Sequence, residues 1–258
     1  MKAAALLALL AAAALAGCVH SGNGNRPVDS VAAADANVKL GVAYMAQGKL
    51  SDAKEKLERA DKQNPKSAEG QFALAELYGR LEQPKEAERR YRNAINLAPD
   101  KLEIVNGYAV FLCSSGEVER GITEFERLVN NPLYGRQAVA ASNAGLCLRD
   151  NKRLGDSLRY FEMALAKQPD YVDAVVYLAD TQIELGKPEL ARRAVDNYQS
   201  MRSSPRVLLT GVRAAVKQGD CPGVTGYVLR MRRDFPNSRE TLSDLPQVLG
   251  SCREKVAL

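Results

Sequence analysis

The chain has 258 residues, of which 46% are hydrophobic and 26% charged, the balance of a folded protein with a sizeable core. It holds one histidine and no tryptophan, so a histidine-rich metal site or a Ser/His/Asp triad would have to draw on His20, in a stretch rich in Gly and Asn near the start. The net charge is +5, and the basic runs Arg89-Arg90-Tyr91-Arg92, Arg192-Arg193 and Arg230-Met231-Arg232-Arg233 lie among acidic residues on predicted helices, which reads as solvated helix faces and not as a nucleic-acid stripe.

In chain order, the first segment places Lys2 before an apolar run of Ala and Leu that is too short to span a bilayer permanently, so residues 1–17 read as a signal peptide. Its end, Leu15-Ala16-Gly17-Cys18, resembles the lipobox of bacterial lipoproteins. That resemblance implies cleavage before Cys18 and acylation of its sulfur and new amino terminus. Each buried methylene contributes roughly 0.8 kcal/mol, so several chains on one residue make a lasting anchor. The other reading is an ordinary secretory signal with a chance cysteine. Val19 follows the cysteine where an aspartate would favour retention at the inner membrane, and the sorting analogy points to the outer one. Residues 18–33 then form a lipidated tether of Gly, Asn, Ser, Pro and Ala, with a root-mean-square reach of roughly 20 Å.

From Ala34 one pattern is written twice at an interval of 34 residues: Leu40, Gly41, Tyr44, Ala53, Leu57, Ala60 and Pro65 are matched by Leu74, Ala75, Tyr78, Ala87, Tyr91, Ala94 and Pro99. Within a unit, Val38, Leu40, Gly41, Tyr44 and Met45 make one helical face, Gly48 breaks the helix, and Ala53, Leu57 and Ala60 make the face of a second one that Asn64-Pro65 ends. The small residues lie where two helices approach closely and read as packing residues. This period and these residue types are those of the tetratricopeptide repeat (TPR), which the sequence resembles. The resemblance implies an all-α fold, a right-handed superhelical solenoid of helix-turn-helix units. Six TPR-like units fall near residues 34–67, 68–101, 102–137, 138–171, 172–205 and 206–237. The third is two residues long, with the extra length between Asn131 and Gly135, and the sixth is weak. Residues 238–258 are expected to cap the stack with one more helix through Leu245 to Val256, the solenoid as a whole occupying 34–258.

With Cys18 lipidated, Cys113, Cys147, Cys221 and Cys252 remain, an even number that suggests disulfides in an exported protein. Cys113 and Cys147 sit on the first helices of adjacent units, offset by two helical positions or about 200° of rotation, so one can face the other. Cys221 with Cys252 would then staple the terminal helix to the weak sixth unit. Free buried thiols at Cys113 and Cys147 are the alternative; no spacing favours a redox motif or a metal cluster.

No arrangement of nucleophile, base and oxyanion donors stands out, and no cofactor is expected. A TPR stack offers a concave surface lined by its first helices. The groove positions of the family fall here on Val38, Val42 and Met45, then Phe72, Glu76 and Gly79, then Asn106, Val110, Ser142 and Arg149. The apolar first unit suggests a hydrophobic partner segment, unless Val38 and Val42 pack against the residues before Ala34. Three middle stretches are more specific: Asn106-Gly107-Tyr108 through Phe111-Leu112-Cys113, then Asn131-Pro132-Leu133-Tyr134, then Asn143-Ala144-Gly145-Leu146-Cys147. With signal, lipobox and tether they resemble the type IV pilus biogenesis/stability lipoproteins, the PilF/PilW-like pilotins. That resemblance implies a non-catalytic, monomeric lipoprotein on the periplasmic face of the outer membrane, anchored in its inner leaflet. Its expected partner is a subunit of the pilus secretin, which it helps to localise and assemble into multimers. The competing expectations are a TPR scaffold of another envelope complex, such as outer-membrane protein insertion or cell-wall synthesis, and a peptidoglycan-processing enzyme.

Overall fold

The computed structural model describes residues 30–201 and 203–256. Twelve helices pair into six helix-turn-helix units: α1 (Ser30–Ala46) with α2 (Leu50–Gln63), α3 (Ala68–Arg80) with α4 (Pro84–Leu97), α5 (Leu102–Ser114) with α6 (Val118–Val129), α7 (Gln137–Asp150) with α8 (Leu154–Lys167), α9 (Val172–Glu184) with α10 (Pro188–Met201), and α11 (Pro205–Gln218) with α12 (Cys221–Asp234). No strand occurs among the described residues. The fold is an all-α solenoid of TPR-like units.

The first and second helices of a unit differ in what surrounds them, and the sequence follows that difference. A first helix packs on both neighbouring second helices and on the first helices of the units before and after it. α3 accordingly buries Ala68, Gly70, Gln71, Ala73, Leu74, Ala75, Leu77 and Tyr78, whereas α4 buries only Ala87, Tyr91 and Ala94. Second helices do not pack on one another to a comparable extent. Units that touch through their first helices and splay at their second ones form a curved stack, with the first helices on the inner, concave side.

Each turn inside a unit needs one residue in the left-handed region. Gly48, Gly116, Gly186 and Gly219 supply it at φ of 73°, 84°, 71° and 71°, but Glu82 (56°) and Lys152 (64°) hold the same place in the second and fourth units. A side chain there costs roughly 1–2 kcal/mol, against roughly 0.5–1 kcal/mol for the extra chain entropy of glycine. Glu82→Gly and Lys152→Gly, both at exposed positions, are therefore expected to stabilise by about 0.5–1 kcal/mol each, read as a higher midpoint in urea with an unchanged slope.

Two boundaries differ from expectation. The first helix starts at Ser30, so the last four residues of the predicted tether belong to the solenoid, which begins before Ala34. Alanine has the highest helix propensity, Ala34 is buried, and Asn37 Nδ2 fastens this end by donating to Ala33 O (3.0 Å) and to Gln63 Oε1 of α2 (2.8 Å). The cap is not one helix through Leu245 to Val256. It is a π-turn (Glu240–Asp244), a four-residue helix α13 (Leu245–Val248) and a 3-10 turn (Gly250–Lys255). Pro246 lacks an amide hydrogen and can only open a helix, and Gly250 takes φ of 50°, so the chain cannot run through as a single helix. Leu245, Leu249, Cys252 and Val256 still bury themselves against α11 and α12.

Candidate protein-binding groove

The inner surface is read from one column of residues, one per unit at matching register: Val42, Glu76, Val110, Leu146, Asp180 and Arg213. Val42 is 43% exposed and Val110 45%, on a face where side chains of this type otherwise pack away. Between α3 and α5 the concave face opens into a cleft of ≈ 580 Å³ whose walls include Glu76, Gly79, Arg80, Tyr91, Val110 and Ser114. It continues past Val110 and Ser114 into a smaller hollow of ≈ 190 Å³ between α5 and α7, bounded by Asn143, Leu146 and the disulfide-bonded residues Cys113 and Cys147.

Ordering of this wall comes from contacts between units. Cys113 is bonded to Cys147 with Cα atoms 5.6 Å apart, fixing α5 to α7. Asn143 Nδ2 donates to Asn106 Oδ1 (3.2 Å) across the same pair of helices. Arg80 donates to the carbonyl of Met45 (2.9 Å), tying α3 to the end of α1. Glu76 accepts no hydrogen bond among the described residues; burial pushes its carboxyl above the usual range, and the nearby Arg80 guanidinium only partly offsets this. It is an acceptor waiting for a donor. Beyond Leu146 the column changes character: Asp180 pairs with Arg213 (3.0 Å), and Arg149 pairs with Glu184, so ion pairs close the inner face over units 4 to 6. The apolar part of the inner face runs from Val42 to Leu146.

The residues expected to line the groove divide accordingly. Val42, Glu76 and Gly79 face it. Met45 does not: it is 3% exposed and packs in the core with Leu57 and Leu77. Val38 and Phe72 are half-buried against the same core, and Phe72 sits edge-on to Tyr91 with ring centroids 5.9 Å apart. Ser142 is buried and also leaves the groove wall. Leu146 and Ser114 belong to the wall but were not among the expected positions. The same 34-residue step that links Val42 to Glu76 leads to Val110 and, with the two-residue insertion added, to Leu146. Cys18 and the expected signal peptide and tether, up to residue 29, lie outside the described residues. Cys221 is bonded to Cys252, Cα atoms 5.2 Å apart, at the far end of the stack.

The basic run on α4 is internally matched. Arg90 donates to Asp61 (2.7 Å), Glu86 (3.0 Å) and Gln71 Oε1 (2.9 Å), and Arg92 to Glu88 (2.8 Å). Arg89 also pairs with Glu86, and these guanidinium groups, Arg89 first, hold the Glu86 carboxyl down to about 2.

Family models described as Tetratricopeptide repeat match residues 44–92 and 148–220 in one case and 72–138 in another, together most of the stack. The chain belongs to the tetratricopeptide repeat family. It is homologous to the type IV pilus assembly protein PilF of Pseudomonas aeruginosa, with 29% identity over 245 residues, 93% of this chain and 97% of that protein. A solved structure of Pseudomonas aeruginosa PilF superposes with a TM-score of 0.59 at 26% identity, covering 84% of this chain and 99% of that one. The crystal structure of PilW, a type IV pilus biogenesis factor, gives 0.59 at 27% identity, over 82% and 98% of the two chains. These homologues support a role for this TPR protein in pilus biogenesis and in binding other proteins. The matched repeat ranges stop at residue 220, so the α12 and cap region bonded through Cys221 and Cys252 lies beyond them.

Proposed function

We propose that this TPR protein is a non-catalytic outer-membrane lipoprotein, a pilotin that binds the type IV pilus secretin and promotes its outer-membrane localisation and multimer assembly. The observation that carries the reading is the near full-length homology to PilF and PilW joined to an apolar concave face running from Val42 to Leu146. The exposed valines Val42 and Val110 of the first and third units fit an amphipathic helix or extended segment, and Glu76 of the second offers an unpaired acceptor for a backbone N–H or a basic side chain of that segment. Acyl chains on Cys18 would hold the groove at the inner leaflet of the outer membrane. Secretin subunits held by tethered grooves reach a high local concentration at the membrane, and that favours ring assembly without any bond chemistry.

The test is an immunoblot of separated inner and outer membranes for heat-resistant secretin multimers, in cells with the gene, without it, and carrying Val42→Asp or Val110→Asp. Both valines are exposed, so the fold should survive the charge. Multimers are expected to vanish or remain at the inner membrane without the gene, and to fall by about tenfold with Val110→Asp, the equivalent of losing about 1.4 kcal/mol of binding. Normal outer-membrane multimers in the deletion strain would assign the protein to another envelope complex.

A further inference from the structure

Charges on the inner face are matched over units 4 to 6 and unmatched at the junction of units 2 and 3. Arg149 pairs with Glu184, and Asp180 with Arg213. The cleft of ≈ 580 Å³ between α3 and α5 has Glu76 and Glu82 in its walls, and neither enters an ion pair among the described residues. Arg80, the cation of these walls, is turned toward α1, where it donates to the carbonyl of Met45 (2.9 Å). Acidic charge is therefore in excess here.

The space itself comes from a missing side chain. Gly79, in the last turn of α3, stands at the register of Met45, Cys113 and Arg149 in the first, third and fourth units. Gly41, Gly121 and Gly145 are demanded by packing, since a Cβ on any of them would come 2.5 Å from a neighbouring side chain. A Cβ on Gly79 would meet only Phe111 Cδ2, at an ordinary 3.6 Å, so packing requires no glycine there. Glycine in a helix is unfavourable relative to alanine, and what this one leaves is room. The walls also hold the rings of Tyr91 and Phe111, with centroids 5.2 Å apart. The Tyr91 hydroxyl makes no hydrogen bond among the described residues; burial, and then the charge of Glu76, push it above the usual phenol range, so hydroxyl and carboxylate lie within each other's field.

We propose that this cleft is a pocket for one basic side chain, an arginine or lysine of the partner segment that fills the groove. The alkyl stem lies along Gly79, Val110 and Phe111, and the charged head reaches Glu76 and the Tyr91 hydroxyl. A basic side chain suits these walls because its stem is apolar and its head carries only donors, whereas a carboxylate and a phenol oxygen can both accept. A half-buried carboxylate is screened less than a surface one, so a cation set against it is held more strongly. The flanking apolar residues of the segment then meet Val42 on one side and Leu146 on the other. The inference rests on the concave face being the binding face, whichever envelope protein fills it.

The probe is acetyl-Val-Arg-Val-amide, titrated into the isotope-labelled full chain in detergent and followed by amide chemical shifts. It is compared with the same peptide carrying citrulline, which keeps the shape of arginine without its charge. Saturable shifts are expected around Glu76 to Glu82 and Val110 to Ser114, with binding about tenfold tighter for arginine, the factor that corresponds to about 1.4 kcal/mol. Glu76→Gln should erase the preference for arginine. Gly79→Met restores the side chain that the first unit has at this register, and should weaken binding at least about tenfold with the helical circular dichroism intact. Glu184→Gln, farther along the inner face, should change nothing. Absence of saturable shifts, equal binding of the two peptides, or a preference that survives Glu76→Gln overturns the proposal. Self-association of the chain that Glu76→Gln abolishes would make a second copy the occupant and overturn it as well. If Gly79→Met does not fold, Glu76→Gln decides alone. Normal secretin multimers in the deletion strain would remove the secretin as partner and leave the peptide result standing, whereas equal binding of arginine and citrulline removes the basic anchor alone.

Discussion

Replacing Cys221 and Cys252 together by alanine is expected to destabilise the C-terminal end by about 3–4 kcal/mol, the chain-entropy value for a loop of this size, the cysteines being 31 residues apart. The loss should be local. A solenoid unit is held by its neighbours, and the last one has a neighbour on one side only. α12 and the cap pack on α11, with Leu245, Leu249 and Val256 almost fully buried, yet the cap itself is a π-turn, one helical turn and a 3-10 turn with few internal backbone bonds. Without the Cys221–Cys252 cross-link, that apolar surface must hold an irregular segment whose unfolded state is no longer restrained. Hydrogen exchange on the variant should show amides of residues 240–256 exchanging far faster, while α3 to α8 keep their protection. Removing Cys113 and Cys147 opens a loop of similar size, the two being 34 residues apart, but between two units with packed neighbours on both sides. There the same entropic loss is shared by a longer cooperative stretch, and no single segment should detach. Equal, uniform loss of protection in both variants would show that the two disulfides act on one cooperative unit.

The difference between these two ends of the molecule is also the difference between what could and could not be read from the chain. The interval that carries Leu40 to Leu74 and Ala60 to Ala94 places the helices and turns, because packing one unit on the next demands the same small and large residues at the same positions. The cap has no such constraint: it repeats nothing, and Pro246 and Gly250 decide its shape locally. Groove residues fall in between. Register identified Val42, Glu76 and Val110 as one column, but it did not tell that Met45 turns into the core, since that depends on how α1 lies against α2 and α3. Spacing fixes which residues share a helix face, whereas the crossing of helices fixes what that face meets.

Phe161→Ala should be the most damaging single change in the middle of the stack, at about 3–5 kcal/mol, the range for deleting a buried aromatic side chain. Phe161 is fully buried, packs on Gly145 of α7, and lies 5.8 Å from the ring of Tyr177 on the next unit, so it joins the fourth unit internally and to the fifth. The partner of this contact is an absence. A Cβ built on Gly145 would come 2.5 Å from Phe161 Cε1 and 2.7 Å from its Cδ1, closer than any real side-chain contact, and the ring it would displace is fully buried. Glycine in a helix interior otherwise costs roughly 1 kcal/mol relative to alanine. Gly145→Ala alone is therefore expected to destabilise by about 1–3 kcal/mol through overpacking. In the Phe161→Ala background the obstacle is gone and only the propensity gain is left, so the same change should stabilise by about 0.5–1 kcal/mol. The sign of the Gly145→Ala effect reverses with its neighbour, and a double-mutant cycle in urea measures that coupling directly. If Gly145→Ala is destabilising in both backgrounds, the glycine answers to something other than the Phe161 ring, and the close approach of α7 and α8 is not what holds the fourth unit together.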